Sequence, residues 1–534
     1  MLLTCHSWPR HPSPEVLVKS SSRHLRSVIS TVGLTTTIAL TLTACGPSST
    51  SSTTPNAGTS TGSLVVGITT DPDTLFPWKA TQFQAVNIAQ NLYGTLTEFD
   101  RDLNVVPGLA QSWDTSADGK TITFHLRTGA TFASGAPFDS AAVKYSLDTI
   151  NDQATAAVAR SSLASVTAIT ATDAHTVTLT LSAPDAALPA NLASINMAIL
   201  PPGATEQSIS TKPDGTGAFT LSDRKPSQSI TLAANPTHWS GAPKLTRVEY
   251  RIIPDESSIV SAMQSGNVQF AVLNDPLVAK TARSDKISVS KTPQLSYHAL
   301  QLNASRGVLS DVNVRLAIQC AIDRQQVIDT AALSEGTVTG PITSPAYLSD
   351  PKARPCPTRD LTKAADYLAK AGKSAGVTVN TIVSQGEYAT SVNEAQNLKA
   401  QLADAKITLN LEVLDSDAYV KSWVAADFDA AVALNGGRPD PDGMYGRYFT
   451  STGNLNKVAG YSSPALDALF AQGKSTTDPA VRKDIYTKVS AELENNAAWI
   501  WMFTSYSYTA TTSGVRGFIP MANGSLQYLW LTTN

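Results

Sequence analysis

Two periodicities interleave along the chain. In residues 121–127 (TITFHLR), Ile122, Phe124 and Leu126 alternate with Thr123, His125 and Arg127 directly after an Asp118-Gly119 turn signal, which predicts a half-buried strand. Val177, Leu179 and Leu181 repeat that alternation. Val314, Ala317, Ile318 and Ala321 instead keep the i, i+3, i+4, i+7 spacing of one helix face, and Leu466, Leu469 and Phe470 keep it over a shorter span. The most apolar stretch of the body, residues 497–503 (AAWIWMF), is strand- or helix-sized and far short of a membrane span. Helical and strand patterns mixed without a tandem repeat predict α/β or α+β layering.

The N-terminal pattern differs. Arg10, Lys19, Arg23 and Arg26 precede the uncharged residues 28–42, and Thr43-Ala44-Cys45-Gly46 follows. A basic segment, a short apolar run and a small-residue site predict a secretory signal over residues 1–45. Leu42-Thr43-Ala44-Cys45 resembles the lipobox of bacterial lipoproteins, which implies lipidation of Cys45; a plain secretory signal containing a cysteine is the alternative. Residues 46–63 are almost purely Ser, Thr, Gly and Pro, unable to bury apolar surface, and read as a tether. Gly58 to Gly62 formally match G-x-S-x-G, but Ser60 lies in that tether with no strand before it and no helix after it, so it is not assigned as a nucleophile.

Composition narrows the classes. At 534 residues the chain has room for more than one domain. Its 40 Lys and Arg against 43 Asp and Glu leave a net charge of −3, which argues against a broad basic surface for nucleic acid. Four cysteines are too few for a disulfide scaffold. Cys320 and Cys356 remain after export: in an oxidising compartment they can pair, whereas Cys320 within the apolar VRLAIQCAIDR equally suits a buried small hydrophobe. The histidines after Cys45, His125, His175, His238 and His298, are widely spaced, and neither a metal motif nor a nucleotide-binding loop occurs, so no metal and no cofactor are predicted. The pairs Asp71/Asp73 and Asp440/Asp442 lie in Pro-rich loops and read as turn formers.

A longer pattern crosses the whole body. Val106-Pro107-Gly108-Leu109-Ala110-Gln111-Ser112-Trp113, then Asp118-Gly119-Lys120 with Phe124, Leu126 and Arg127, then Gly129 and Phe132, resembles the signature of extracytoplasmic solute-binding proteins of the dipeptide/oligopeptide ABC-transporter family, family 5. Asp71-Pro72 with Leu75 and Pro77, Gly215-Thr216-Gly217-Ala218-Phe219, Asn235-Pro236, Trp239-Ser240-Gly241, Pro254-Asp255-Glu256 and Gln264-Ser265-Gly266 follow in family order. So do Asp311-Val312, Ala321-Ile322-Asp323-Arg324, residues 364–372 and residues 454–469. Most of these residues are expected to be scaffold: Trp113 packing with Phe124, Gly217 serving a turn, Asp323 and Arg324 capping and bracing a helix.

The resemblance implies an α/β two-lobed periplasmic-binding-protein type II fold, with an extra domain inserted in the first lobe and a ligand cleft between lobes. Carried over by motif order, lobe I combines residues 64–93, 213–297 and 506–534, the inserted domain II is 94–212, and lobe III is 299–505. In peptide-binding relatives a loop before an Asp/Glu-Pro pair supplies an aspartate for the peptide's α-ammonium. Anchored on Asp440-Pro441, that position here is Gly437, and Arg438 adds a positive charge beside it. Asn435, Gly436, Gly437, Arg438 and Asp440 are therefore the candidate substrate-binding loop, with Trp78 and Tyr93 as candidate aromatic walls and Asp440 as a substitute carboxylate for a ligand that is otherwise blocked, anionic or neutral.

The function implied is that of a membrane-tethered substrate-binding component of an ABC importer, not an enzyme. It is expected to be a monomer on the outer face of the bacterial cell membrane, with a peptide or small-molecule ligand, ABC permease subunits and the membrane as partners and no nucleic acid. The rivals are a secreted peptide hydrolase, for which the histidine spacing offers no nucleophile–base pair, a binder of nickel chelates, glutathione, opines or sugars, and a sensor or chaperone-like lipoprotein.

Overall fold

The structure, a computed structural model, describes residues 62–386 and 388–533. The predicted signal, Cys45, Ser60 and nearly all of the predicted tether lie outside them, and Ser63 opens the first strand.

Two long strands, Ile287–Leu302 and Trp499–Thr512, run antiparallel through the middle of an 11-stranded sheet. At about 3.3 Å per residue each spans roughly 50 Å, enough to belong to both halves of the molecule. Their pairing shifts between Pro293 and Tyr297. Before the shift most positions of Ile287–Leu302 are exposed or half-buried; from Tyr297 on every residue is buried, because helices cover both faces of the sheet there. On one side the sheet continues through Phe270–Leu273, Ser63–Ile68, Arg247–Ile252, Ser229–Ala234 and Phe219–Lys225. On the other it continues through Ala430–Asn435, Val377–Gln385 and Ile407–Asp415, the last three mutually parallel.

A separate four-stranded antiparallel sheet, in the order Ala110–Thr115, Thr121–Leu126, Thr176–Leu181, Val166–Asp173, lies between the first and second strands of the first lobe in sequence. Ile122, Phe124 and Leu126 point inward as the alternation predicted, and Trp113 packs on Phe124 with ring centroids 6.2 Å apart. This sheet shares one continuous core with the first lobe, in which Leu64, Trp78, Phe124, Leu147 and Tyr250 are all fully buried. The second lobe has its own cores, one around Leu300, Ile318, Leu398 and Phe503 and an aromatic one around Tyr445, Phe449, Trp499 and Trp501.

Local chemistry fixes several elements. Asp323 caps the helix Arg324–Ala331 by accepting from Gln326 N, and the buried Arg324 guanidinium donates to Trp501 O at 2.8 Å. Gly217 serves close approach rather than a left-handed turn: a Cβ there would lie 2.4 Å from Leu92 C. Cys320, on the inner face of the helix Val312–Ala321, forms a disulfide with Cys356, so the cysteine is both buried and paired.

Candidate ligand-binding cleft

The strand Ala430–Asn435 ends at the junction of the two lobes, and the chain then turns through Gly436, Gly437, Arg438, Pro439 and Asp440. This loop borders two cavities. One, of about 210 Å³, is walled by Val86, Gln90, Asn191 and Asn523 from the first lobe and its inserted domain and by Arg438, Pro439 and Asp440 from the second lobe. Gln90, Phe99 and Asn523 also line a smaller recess that contains Tyr93 and Glu98. The other cavity, of about 300 Å³, lies within the second lobe and is lined by Tyr388, Tyr419, Trp423, Asn435, Arg447 and Tyr448, with Val420 and Val424 at its edge. Outside the cavities the lobes also touch, Ala186 N donating to Lys474 O at 2.8 Å.

The two glycines of the loop do different work. A Cβ on Gly437 would stand 2.0 Å from the carbonyl oxygen of Leu295, so only glycine fits there without moving the backbone. A Cβ on Gly436 would meet nothing within 4 Å, and Gly436 lines the larger cavity. An acidic side chain placed at 437 has no room to enter the cleft, whereas one at 436 has.

Asp440 is buried and committed. Its Oδ2 accepts from Arg482 Nη2 at 2.8 Å, and both side chains are less than a tenth exposed. Burial opposes the Arg482 charge, but Asp440 with Tyr486 and Tyr347 outweighs it, and the guanidinium holds its proton more tightly than usual. Asp442 faces Lys474 at 3.4 Å; burial pushes its carboxyl up to about 6 against the pull of that lysine. The two carboxylates of the loop thus have internal cations, and Asp440 pairs with Arg482 rather than with Arg438.

Arg438 has no such partner. Among the described residues its guanidinium donates to no carboxylate or carbonyl, and burial, followed by the charge of Arg447, pulls it down to about 10. Its stem lies beside Gly443, where a Cβ would come within 3.4 Å of Arg438 Cδ and 3.2 Å of Asn191 Oδ1. Arg447 follows a π-helical turn, Asp442–Gly446, an irregularity that often accompanies functional sites. Its guanidinium lies over the Tyr448 ring at 4.7 Å, and its Nε is buried without a partner.

The floor of the larger cavity is a polar chain: Trp423 Nε1 donates to Gln301 Oε1 at 2.6 Å, Gln301 Nε2 to Asn435 Oδ1 at 2.9 Å, and Asn435 Nδ2 to Tyr448 Oη at 3.4 Å. These bonds fix the tryptophan and tyrosine rings as walls. Of the two aromatic candidates, Tyr93 borders the smaller recess, its hydroxyl donating to Leu75 O at 2.7 Å. Trp78 is fully buried in the first lobe's core, with Nε1 donating to Ala198 O at 2.8 Å, and so is packing rather than wall. Among the described residues no group of His, Cys, Asp and Glu is placed to hold a metal ion.

Comparison with known proteins places this architecture. The family described as bacterial extracellular solute-binding proteins, family 5, matches residues 104–456. The chain belongs to this family. The glutathione-binding protein GsiB of Pectobacterium atrosepticum is 25% identical over 483 residues, covering 86% of this chain and 91% of that protein. The binding protein AgaA of Agrobacterium tumefaciens, solved in complex with agropinic acid, superposes with a TM-score of 0.76 at 26% identity, covering 89% of this chain and 99% of the other. The ABC transporter-associated periplasmic binding protein DppA of Helicobacter pylori, solved with the peptide STSA, has a TM-score of 0.75 at 24% identity over 88% of this chain and 98% of its own, a likeness of fold.

Membership accounts for the two lobes and the shared sheet, and it leaves the loop chemistry to this chain's own residues. Arg447, Tyr388, Tyr419, Trp423 and Tyr448 escaped the sequence reading. Only the closeness of Arg447-Tyr448 to the candidate loop hinted at them.

Proposed function

We propose that this family-5 protein is the extracytoplasmic substrate-binding component of an ABC importer, capturing a peptide or a similar small solute between its lobes and presenting it to the permease. The observation that carries the reading is the cavity of about 210 Å³ to which Gln90, Asn191 and Asn523 contribute from one side and Arg438 and Asp440 from the other. A solute bridging those walls interacts with both lobes only when they are together. Its differential affinity for the closed state then shifts the open/closed population, which is all the mechanism requires. No bond need be made or broken, so the protein acts as a receptor and not as an enzyme. Similar proteins are described as binding glutathione, agropinic acid and a peptide, which favours a small polar organic solute here.

In this reading lobe I is residues 64–93, 213–297 and 506–534, with domain II at 94–212 and lobe III at 299–505. The two crossings fall in Ile287–Leu302 and Trp499–Thr512, the strands that span both halves. Asn435, Gly436, Arg438 and Tyr93 border the solute, Gly437 lets the loop approach Leu295, and Asp440 holds the loop through Arg482. Cys45 anchors the body to the outer face of the membrane through two or more acyl chains.

Native mass spectrometry of the purified protein tests the reading. A bound small molecule released on denaturation is expected; a chain that retains none and binds none from a cell extract contradicts it. For the anchor, Cys45→Ala is expected to release the protein into the medium, and unchanged membrane retention refutes lipidation.

A further inference from the structure

The loop between the lobes has a lopsided charge inventory. Its carboxylates are already matched, Asp440 with Arg482 and Asp442 with Lys474. Its guanidiniums are not: among the described residues, Arg438 and Arg447 have no ion pair, and the Nε of Arg447 is buried without a hydrogen-bond partner. Arg438 lines the cavity between the lobes and Arg447 the one within the second lobe, and the charge of Arg447 disfavours that of Arg438. Both side chains are half-buried, and two like charges held beside a cleft without a carboxylate repel one another, an arrangement that an anionic ligand relieves. The other acid at these cavities is Glu98, across the cleft beside Tyr93, where burial pushes its carboxyl up to about 7 against the opposing charge of Arg127. It is not a partner of either guanidinium.

The remaining wall is apolar. Tyr388, Tyr419, Trp423 and Tyr448 surround the larger cavity, and Val420 and Val424, each 46% exposed, stand at its mouth. Exposed aliphatic side chains beside a fixed tryptophan ring suit an apolar or aromatic group on the solute. The planar fork of a guanidinium matches a carboxylate or phosphate through paired N–H donors.

We infer that the solute of this protein is an anion: a small organic molecule whose carboxylate or phosphate sits between Arg438 and Arg447 while an apolar or aromatic body fills the cavity formed by Tyr388, Tyr419, Trp423 and Tyr448. This deepens the substrate-binding reading and rests on it. The place where peptide-binding relatives offer a carboxylate to an ammonium is here reversed in sign, so a free α-amino group is disfavoured at this end of the solute.

The test uses the full chain and three probes that share a phenyl ring and differ in charge: N-acetyl-L-phenylalanine, phenyl phosphate and L-phenylalaninamide, titrated calorimetrically into the millimolar range. Either anion is expected to bind and the cationic amide is not; the tighter anion assigns carboxylate or phosphate. Arg438→Gln and Arg447→Gln should each weaken the anion roughly 10- to 100-fold, with Arg→Lys restoring part of it. Melting temperatures without probe should not fall, since neither guanidinium holds the fold together. Amide binding as tight as the anions, anion binding untouched by both glutamine variants, or no anion binding at all would overturn the inference. Release of an uncharged or cationic solute from the purified protein would also overturn it, while leaving the solute-binding function standing. A chain that binds no small molecule whatever fails at the earlier reading.

Discussion

Arg482, buried, and Arg438, half-buried, lie at the same loop, and their surroundings have opposite signs. Arg482 has Asp440 at 2.8 Å and two tyrosine hydroxyls, and its proton is held more tightly than usual. Arg438 has the charge of Arg447 acting on it and, among the described residues, no carboxylate partner, and its proton is held less tightly. The difference is the ground for treating Arg482 as scaffold and for proposing Arg438 as a contact of the solute. A buried charge satisfied internally is part of the scaffold, whereas one without an internal counter-charge at a cleft is a candidate contact for a ligand.

The largest effect expected from breaking this contrast is on the paired side. Asp440→Ala strands the Arg482 charge and should cost about 3–5 kcal/mol of stability, read from chemical denaturation. A loss under about 1 kcal/mol would mean that the pair is not structural. Next come the neighbouring glycines. Gly437→Ala drives a methyl group into the Leu295 carbonyl and should destabilise by about 1–3 kcal/mol, whereas Gly436→Ala should fall within about 0.5 kcal/mol, because its Cβ meets open space. Equal effects would show that the loop does not pack on Leu295.

Asp442 sharpens the comparison through pH. Its carboxyl titrates at about 6 in the fold against an ordinary value of 3.8. Below the lower value both states are protonated. Between the two the unfolded chain alone gives up its proton, so this group's contribution to stability falls as pH rises, and above about 6 the penalty is constant. Asp442→Asn should therefore stabilise by about 1–3 kcal/mol at pH 7 and have little effect below pH ~4, with thermal melts at the two pH values as the check. The smallest stability effect is expected at Arg438→Gln, within about 0.5 kcal/mol of wild type or slightly above it.

How far the chain could be read without coordinates depends on how local the determining physics is. The strand at residues 121–127 and the helix face of Val314, Ala317, Ile318 and Ala321 were legible, because period and turn chemistry are written in neighbouring residues. So was the cap at Asp323. The roles of Gly436 and Gly437 were not, since motif counting put the ligand-facing position at Gly437, whereas the obstacle there is Leu295, far away in sequence. Trp78 read as a wall because an aromatic residue near a lobe edge looks the same whether it faces a cavity or a core; only Ala198 and Tyr145 beside it decide. The pairing of Cys320 with Cys356 stayed open for the same reason. Asp440 read as a substitute carboxylate for the ligand, whereas the fold commits it to Arg482, 42 residues away in sequence.

Stability and solute binding should separate at these two arginines, and one thermal-melt experiment measures that directly. Melting temperatures of the wild type and of Arg438→Gln/Arg447→Gln are taken with and without the solute that co-purifies with the wild type. The prediction is equal melting temperatures without solute and a ligand-induced rise in the wild type that is lost in the variant. A variant that melts several degrees lower without solute, yet keeps the full ligand-induced rise, would contradict it.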